Sequence, residues 1–165
     1  MAFALRLATP DDAPAIAKLR TAVAEHLTFR YGRGHWSSGA SERFVLFQLR
    51  TSTLFIARDE RGVIATLLLA TKKPWAIDRS RFTDCERPLY LTDMAVAPEL
   101  QRQGVGRFCI EEVKRIGREW PADAIRLDAY DAEVGAGDFY RKCGFREVGR
   151  AIYRNVPLIY FEMLL

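Results

Sequence analysis

The sequence contains few cysteines and few histidines, and both shortages exclude classes of site. Its three cysteines, Cys85, Cys109 and Cys143, are odd in number and widely spaced. That pattern argues against a disulfide framework and against a zinc knuckle. With only two histidines, His26 and His35, a histidine-rich metal site is not expected, and we predict no bound metal. Unpaired cysteines suit a reducing compartment, so a cytoplasmic protein is expected.

Long apolar runs are missing as well. The longest, Val63–Ala70, is interrupted by Thr66 and is far shorter than the ~20 residues that cross a bilayer. The N-terminus shows neither the apolar stretch nor the cleavage pattern of a signal peptide. We therefore predict a protein that has no membrane partner.

Lysine is scarce, although the chain is basic. There are 25 basic residues against 21 acidic ones, a formal net charge of +4, and only five of the basic residues are lysines. Arginine favours planar, bidentate recognition of phosphate or carboxylate. The small excess suits an anionic ligand and does not indicate nucleic acid. A genome rich in G and C would produce the same arginine bias, so this alternative stays open.

The hydrophobic pattern predicts a single mixed α/β domain over residues 1–165, because the composition shows no break. Alternating patterns and short apolar runs predict strands near 3–7, 54–58, 63–71, 89–96 and 125–130, and two more within 145–165. Helical spacing predicts helices after Thr9, near 41–50, over 104–120 and over 135–143. The segment 72–87 has the composition of a long polar connection.

The most informative segment is a strand that leads through Pro98 into a Gly-x-Gly loop at the start of a helix. Backbone N–H groups in such a loop, together with the positive end of the helix, can bind an anion. The dinucleotide fingerprint would need a glycine where Cys109 stands, and the Walker loop needs Gly-Lys-Ser/Thr. The spacing Gln101-x-x-Gly104-x-Gly106 instead fits a third pattern, Q/R-x-x-G-x-G/A.

This pattern resembles the signature of the GNAT family of acetyl-CoA-dependent N-acetyltransferases. The resemblance includes Met94-Ala-Val-Ala-Pro98 before the loop and Phe139-Tyr140-x-x-x-Gly144-Phe145 about forty residues after it. Two separated motifs in the expected order are more specific than either motif alone. The resemblance covers essentially the whole chain. It implies a central, mostly antiparallel sheet flanked by helices, with acetyl-CoA as co-substrate and no metal.

The resemblance also implies residues that bind the cofactor. The strand at Met94, Ala95 and Val96 would pair with the pantetheine arm of CoA. The loop backbone would hold the pyrophosphate, with Lys142 as a further positive charge near the phosphates. The residues of this loop are Gln101, Arg102, Gln103, Gly104, Val105, Gly106 and Arg107. Glu133 stands where the family often has asparagine, and it can accept a hydrogen bond from the pantetheine amide but cannot donate one.

Tyr140 is the implied general acid, because a phenol keeps its proton at neutral pH and can protonate the departing thiolate. The alternative is a core aromatic beside Phe139 and Phe145. An amine with a pKa of ~10.4 must lose a proton before it attacks, and Asp93 is the candidate base. Strand alternation leaves open which side of the sheet Asp93 faces. Glu86 and Asp128 are weaker candidates for the base.

Substrate pockets in the family are formed by the first helices, the connection before the fourth strand, and the terminal hairpin. In this chain these segments carry the candidate substrate contacts Trp36, Trp75 and Tyr153. We expect acetyl transfer to a primary amine of a small molecule or an amino-acid derivative. Two alternatives stay open, protein or peptide N-acetylation and a non-catalytic acyl-CoA-binding module. A homodimer is also left open.

Overall fold

The computed structural model describes residues 3–165, and this part of the chain contains seven strands and four α-helices. The strands are β1 (Leu5–Leu7), β2 (Thr53–Asp59), β3 (Gly62–Ala70), β4 (Pro88–Val96), β5 (Ala124–Tyr130), β6 (Arg146–Tyr153) and β7 (Val156–Leu164). The helices are α1 (Ala13–Tyr31), α2 (Glu42–Thr51), α3 (Val105–Glu119) and α4 (Gly137–Lys142). Each helix and strand expected from the sequence is present, with ends that differ by a few residues.

The strands form a mixed sheet in the order β1-β2-β3-β4-β5-β7-β6. β2 pairs antiparallel with β1 and β3, and β7 pairs antiparallel with β5 and β6. β4 and β5 run parallel. Pro88 is the partner of Ala124 at one end of this pairing, and Tyr90 is the partner of Arg126 at the other. A mostly antiparallel sheet combined with helices confirms the predicted fold class.

The contacts divide the chain into two compact units. The first unit takes the chain up to Leu69 together with Asp93–Cys109, and the second consists of Ala70–Thr92 and Ile110–Leu165. β4 and α3 therefore contribute residues to both units. The expectation of a single domain stays a prediction.

The first unit has a core in which α1, α2 and the β2–β3 hairpin meet. Ile16 of α1 and Val45 of α2 pack with the hairpin residues Leu54, Ile56 and Leu68. The α1 residues of this core, Ala13, Ile16 and Ala17, recur at helical spacing, and burying them with Val45 against the hairpin stabilises all three elements. This core fixes the positions from which α1 and α2 project their polar side chains.

The second unit buries one face of its strands beneath the connection that precedes β4. Ile77 and Phe82 of this connection pack with Tyr90, Leu158 and Tyr160. These two buried residues anchor a segment that is largely polar, so the connection follows a defined path over the sheet. The arginines of this segment, Arg79 and Arg81, are exposed.

Two classes of feature are absent from the part of the chain that the structure describes. Within residues 3–165, no helix is both long and apolar enough to cross a membrane. The same residues contain no group of three or more His, Cys, Asp or Glu side chains that could hold a metal ion. The three cysteines, all of them described, form no disulfide.

Candidate functional site

The Gly-x-Gly segment, in the first unit, is a tight loop that leads directly into α3. The first hydrogen bond of the helical ladder runs from Phe108 N to Gly104 O, at 3.0 Å. Three backbone N–H groups precede this bond, those of Val105, Gly106 and Arg107. Arg102 and Gly104 both have a left-handed backbone, with φ of 63° and 87°. Such left-handed residues within a turn direct successive N–H groups toward a common point, a geometry that binds anions.

The two glutamines of the loop hold the loop itself together. Gln101 Nε2 donates to the carbonyl oxygen of Val96 at 3.2 Å, and Gln103 Nε2 donates to that of Glu99 at 2.9 Å. Their side-chain amides are thereby engaged with the backbone. Each of these amides therefore uses one of its N–H bonds to stabilise the loop.

Gly104 is required by its backbone conformation and not by lack of space. A Cβ atom added to Gly104 would meet no heavy atom within 4 Å. Its φ of 87° is one that side chains rarely adopt, and β-branched residues least of all. A larger residue would therefore shift the loop backbone without a clash against neighbouring elements.

The second half of β4 carries the candidate base. Asp93 is exposed and has a φ of 49°, a left-handed conformation in the middle of a strand. Strained residues of this kind concentrate at functional sites. The residues that follow, Met94, Ala95 and Val96, are half-buried.

Two residues that the sequence analysis missed hold Asp93 in place. Gln48 Nε2 of α2 donates to Asp93 Oδ2 at 3.0 Å. Arg20 of α1 donates from Nη1 to Gln48 Oε1. Arginine can only donate, so this bond fixes the amide with Oε1 toward Arg20 and Nε2 toward the carboxylate. The signal in the sequence was a glutamine three residues after Val45, on the buried face of α2.

Tyr140, in the second unit, is held in an aromatic cluster. Tyr140 is only 9% exposed. Its ring lies 5.2 Å from that of Phe139, 5.6 Å from that of Phe145 and 6.0 Å from that of Phe161. Burial, with a smaller contribution from Asp128, raises the pKa of Tyr140 well above its ordinary value. The phenol therefore keeps its proton throughout the neutral range.

The other predicted cofactor residues of this unit are on its surface. Glu133, between β5 and α4, is exposed, and so is Lys142 in the last turn of α4. Asp131, an alternative carboxylate near Glu133, is already paired, since both of its oxygens accept from Arg150 Nη1 at 3.0–3.1 Å. Glu133 is thus the better placed of the two to meet a ligand.

The three aromatic substrate candidates differ in their surroundings. Trp36 Nε1 donates to Gly32 O at 2.9 Å, and its ring covers Gly34, so this indole fastens its own loop. Trp75 is 82% exposed. Tyr153 is half-buried at the edge of the core of the second unit. A substrate contact at any of the three stays a prediction.

A buried ion pair that the sequence analysis missed lies in the second unit. Arg126 of β5 donates from Nε to Glu162 Oε2 of β7 at 3.1 Å, and the two side chains are 3% and 1% exposed. Its other nitrogens donate to the Tyr90 hydroxyl, the Thr83 carbonyl oxygen and Cys85 Sγ. A cavity of about 330 Å³ adjoins this cluster, lined by Arg126 and by residues 79–80 and 82–85 of the connection.

Comparison with known proteins places this arrangement in a family. The sequence profile of the acetyltransferase (GNAT) family matches residues 20–145. The chain is similar to a GNAT-family acetyltransferase from Listeria monocytogenes, with 19% identity over 98% of this chain and 95% of the other, and a TM-score of 0.73. No curated protein sequence matches the chain significantly.

Two further solved structures have the same fold. A Salmonella typhimurium protein described as an acetyltransferase, determined with its cofactor acetyl-CoA, is 14% identical over 100% of this chain and 95% of its own, with a TM-score of 0.70. The ribosomal-protein-S18-alanine N-acetyltransferase from Escherichia coli is 17% identical over 99% of this chain and 94% of its own, with a TM-score of 0.69. At these identities the similarity establishes the fold.

Proposed function

Because the chain belongs to the GNAT family of acetyltransferases, we propose that it transfers the acetyl group of acetyl-CoA directly to a primary amine of a small molecule or an amino-acid derivative. The observation that carries the proposal is the loop before α3. Three N–H groups there precede the helical ladder, and two residues are left-handed. Such a loop binds a pyrophosphate through its backbone. The exposed Arg102 and Arg107 add charge-assisted donors.

Acetyl-CoA is the co-substrate in this proposal. The backbone of Met94, Ala95 and Val96 pairs with its pantetheine arm, as the family resemblance implies. Glu133 accepts from a pantetheine amide, and Lys142 provides positive charge toward the phosphates. The support for these roles is the exposure or partial exposure of all five residues.

Asp93 accepts the proton that the attacking amine must lose. At pH 7 an aliphatic ammonium with a pKa of ~10.4 lies about 3.4 pH units from its free base, which costs about 4.6 kcal/mol. The Gln48 hydrogen bond uses Oδ2 of Asp93 and leaves Oδ1 for the amine or for a water that relays its proton. Holding one oxygen in place orients the other, which favours proton transfer.

Tyr140 stabilises the leaving group. As the amine nitrogen bonds to the acetyl carbon, the carbon–sulfur bond breaks and negative charge develops on the CoA sulfur. The Tyr140 hydroxyl donates to that sulfur. A thiol has a pKa of ~8.5, below that of a buried phenol, so complete proton transfer is uphill. The larger share of the stabilisation therefore comes from the hydrogen bond.

Direct transfer is favoured over a route through an acyl-cysteine. A cysteine attacks as the thiolate, so a nucleophilic cysteine needs a lowered pKa. Burial raises the pKa of the Cys85 thiol, and Cys109 and Cys143 are buried. At Cys85 the effect of burial outweighs that of the neighbouring Arg126, and the other two thiols are buried, so none of the three cysteines has the lowered pKa that a nucleophile needs.

The proposal is tested by measuring release of the CoA thiol over a panel of primary amines, with and without short peptides. We expect thiol release that depends on a small amine acceptor. Release with peptides alone would replace the proposal with protein or peptide acetylation. Acetyl-CoA binding without release for any acceptor would identify a non-catalytic acyl-CoA-binding module.

A further inference from the structure

Two opposite charges in the first unit are linked by a neutral amide. Arg20 of α1 donates to Gln48 Oε1, and Gln48 Nε2 donates to Asp93 Oδ2 at 3.0 Å. The guanidinium and the carboxylate are therefore coupled, yet the amide keeps them from forming a direct salt bridge. A direct bidentate pair would use the hydrogen-bonding edges of both groups. The separation leaves part of each group available for another partner.

The available part of Arg20 is the edge formed by Nε and Nη2. Both nitrogens are shielded from solvent, and neither has a hydrogen-bond acceptor within residues 3–165. A buried donor without an acceptor costs about 1–3 kcal/mol, and a charged one costs more. Burial lowers the pKa of Arg20, and the charge of Asp93 opposes that effect. Native proteins retain few such groups, and each one calls for an explanation.

The shape of this edge indicates the ligand. Nε–H and one N–H of Nη2 point in parallel, and this fork matches the two oxygens of a carboxylate. The bond from Nη1 to Gln48 holds the guanidinium in place, and Arg20 as a residue is only half-buried. At the other end of the network, the exposed Asp93 offers Oδ1 to a cation.

We propose that Arg20, Gln48 and Asp93 form a recognition site for a zwitterionic acceptor, a primary amine that also carries a carboxylate. Asp93 receives the ammonium group, which loses its proton there before attack, and the Nε–Nη2 edge of Arg20 binds the acceptor carboxylate. Gln48 sets the distance between the two charges. This inference rests on the proposed acetyl transfer and narrows its acceptor to the amino-acid class.

The first test compares matched acceptors, phenylalanine with phenethylamine and β-alanine with ethylamine, by thiol release. In the wild type we expect kcat/KM to be at least tenfold higher for the carboxylate member of a pair. Arg20→Met should remove this preference while the KM for acetyl-CoA stays unchanged. Arg43→Met is the matched control, because Arg43 is an exposed arginine of α2 that carries the same charge. It should retain the preference.

The outcomes separate the inference from the proposed function. Equal acetylation of both members of each pair would overturn the inference and leave acetyl transfer standing. If no acceptor reacts, acetyl transfer fails, and calorimetry with phenylalanine alone decides the inference. We then expect the wild type and Arg43→Met to bind the amino acid, and Arg20→Met to bind it at least tenfold more weakly. Equal binding by all three proteins would overturn it.

Discussion

Two arginines with buried nitrogens, one in each unit, differ in how many of those nitrogens have an acceptor in the protein. In the second unit all three nitrogens of Arg126 have acceptors inside the protein, and the guanidinium also lies 5.0 Å from the ring centre of Phe82. In the first unit Arg20 has one protein acceptor, Gln48, and two nitrogens without one in the part of the chain that the structure describes. We infer that Arg126 stabilises the fold and that Arg20 serves a ligand.

The difference follows from what each arginine connects. Arg126 and Glu162 lie on paired strands, and both also bind Thr83 in the connection before β4. Arg126 donates to the Thr83 carbonyl oxygen, and the Thr83 N–H donates to Glu162. Removing one member would leave a buried charge without its partner. Arg20 and Gln48 reach only Asp93, a strained and exposed residue. A network that ends at the surface can exchange its outer partner for a substrate.

The largest effect is expected from Arg126→Met. Breaking a buried ion pair on one side typically costs about 3–5 kcal/mol, which lowers Tm by about 10 °C or more in a domain of this size. Thermal unfolding followed by circular dichroism measures the effect. Arg79→Met is the control, since Arg79 is exposed and borders the same cavity, and it should change stability by at most about 0.5 kcal/mol. A drop in Tm for Arg126→Met no larger than that for Arg79→Met would contradict the claim that Arg126 stabilises the fold.

Tyr140→Phe is expected to affect turnover and not stability. The ring contacts of Tyr140 survive this change, whereas the donor to the leaving thiolate is lost, so kcat should fall about 10²-fold or more. The measurement is thiol release at saturating substrates, with Tyr31→Phe at the end of α1 as control. An unchanged kcat would show that Tyr140 acts through packing alone.

Gly104→Val should weaken acetyl-CoA binding by about tenfold, because valine is strained at a φ of 87° and shifts the loop backbone. Gly62→Val is a matched control. Gly62 also has a positive φ and no heavy atom within 4 Å of an added Cβ, but it lies in the β2–β3 turn. Calorimetry should therefore find near-normal acetyl-CoA binding for Gly62→Val. Normal binding by both variants would contradict the assignment of the loop.

Arg20→Met should change Tm by only a few degrees. The substitution removes a charge whose burial is already costly, and this gain offsets the lost bond to Gln48. Replacement by methionine should thus lower the stability of the protein at Arg126 and change the choice of acceptor at Arg20. A Tm drop as large as that of Arg126→Met would show that both arginines are structural.

The pH profile should show the smallest effect. A proton donor is lost as pH rises through its folded-state pKa, and burial places that of Tyr140 above the usual ~10. Between about pH 7 and 9 the rate should not fall, because Tyr140 stays protonated throughout this range. A falling limb below about pH 9.5 in the wild type would contradict the role of Tyr140.

The order of the helices and strands could be predicted from the sequence, because apolar periodicity and the two glycine motifs are local signals. The turn that leads into α3 could also be predicted, since Gly104 and Gly106 stand at the start of a helical pattern. The orientation of Asp93 could not, because a left-handed residue interrupts the alternation on which that prediction would rest.

The buried networks could not be predicted, for a related reason. Arg20 and Gln48 are 28 residues apart, Gln48 and Asp93 are 45 apart, and Arg126 and Glu162 are 36 apart. Only the tertiary structure brings these pairs together, and a polar residue in an apolar pattern does not reveal its partner. Local signals thus predict the elements of the fold, whereas long-range pairing determines which arginine has protein acceptors for all of its nitrogens.

The central claim, direct acetyl transfer to an amine, is tested most directly by product analysis. The protein is incubated with acetyl-CoA and an amino acid, and mass spectrometry measures the N-acetylated amino acid alongside the released CoA thiol. We predict equal amounts of the two products, both greatly reduced by Tyr140→Phe. Thiol release without an acetylated amine, or a stable acetyl group on one of the three cysteines, would contradict the account.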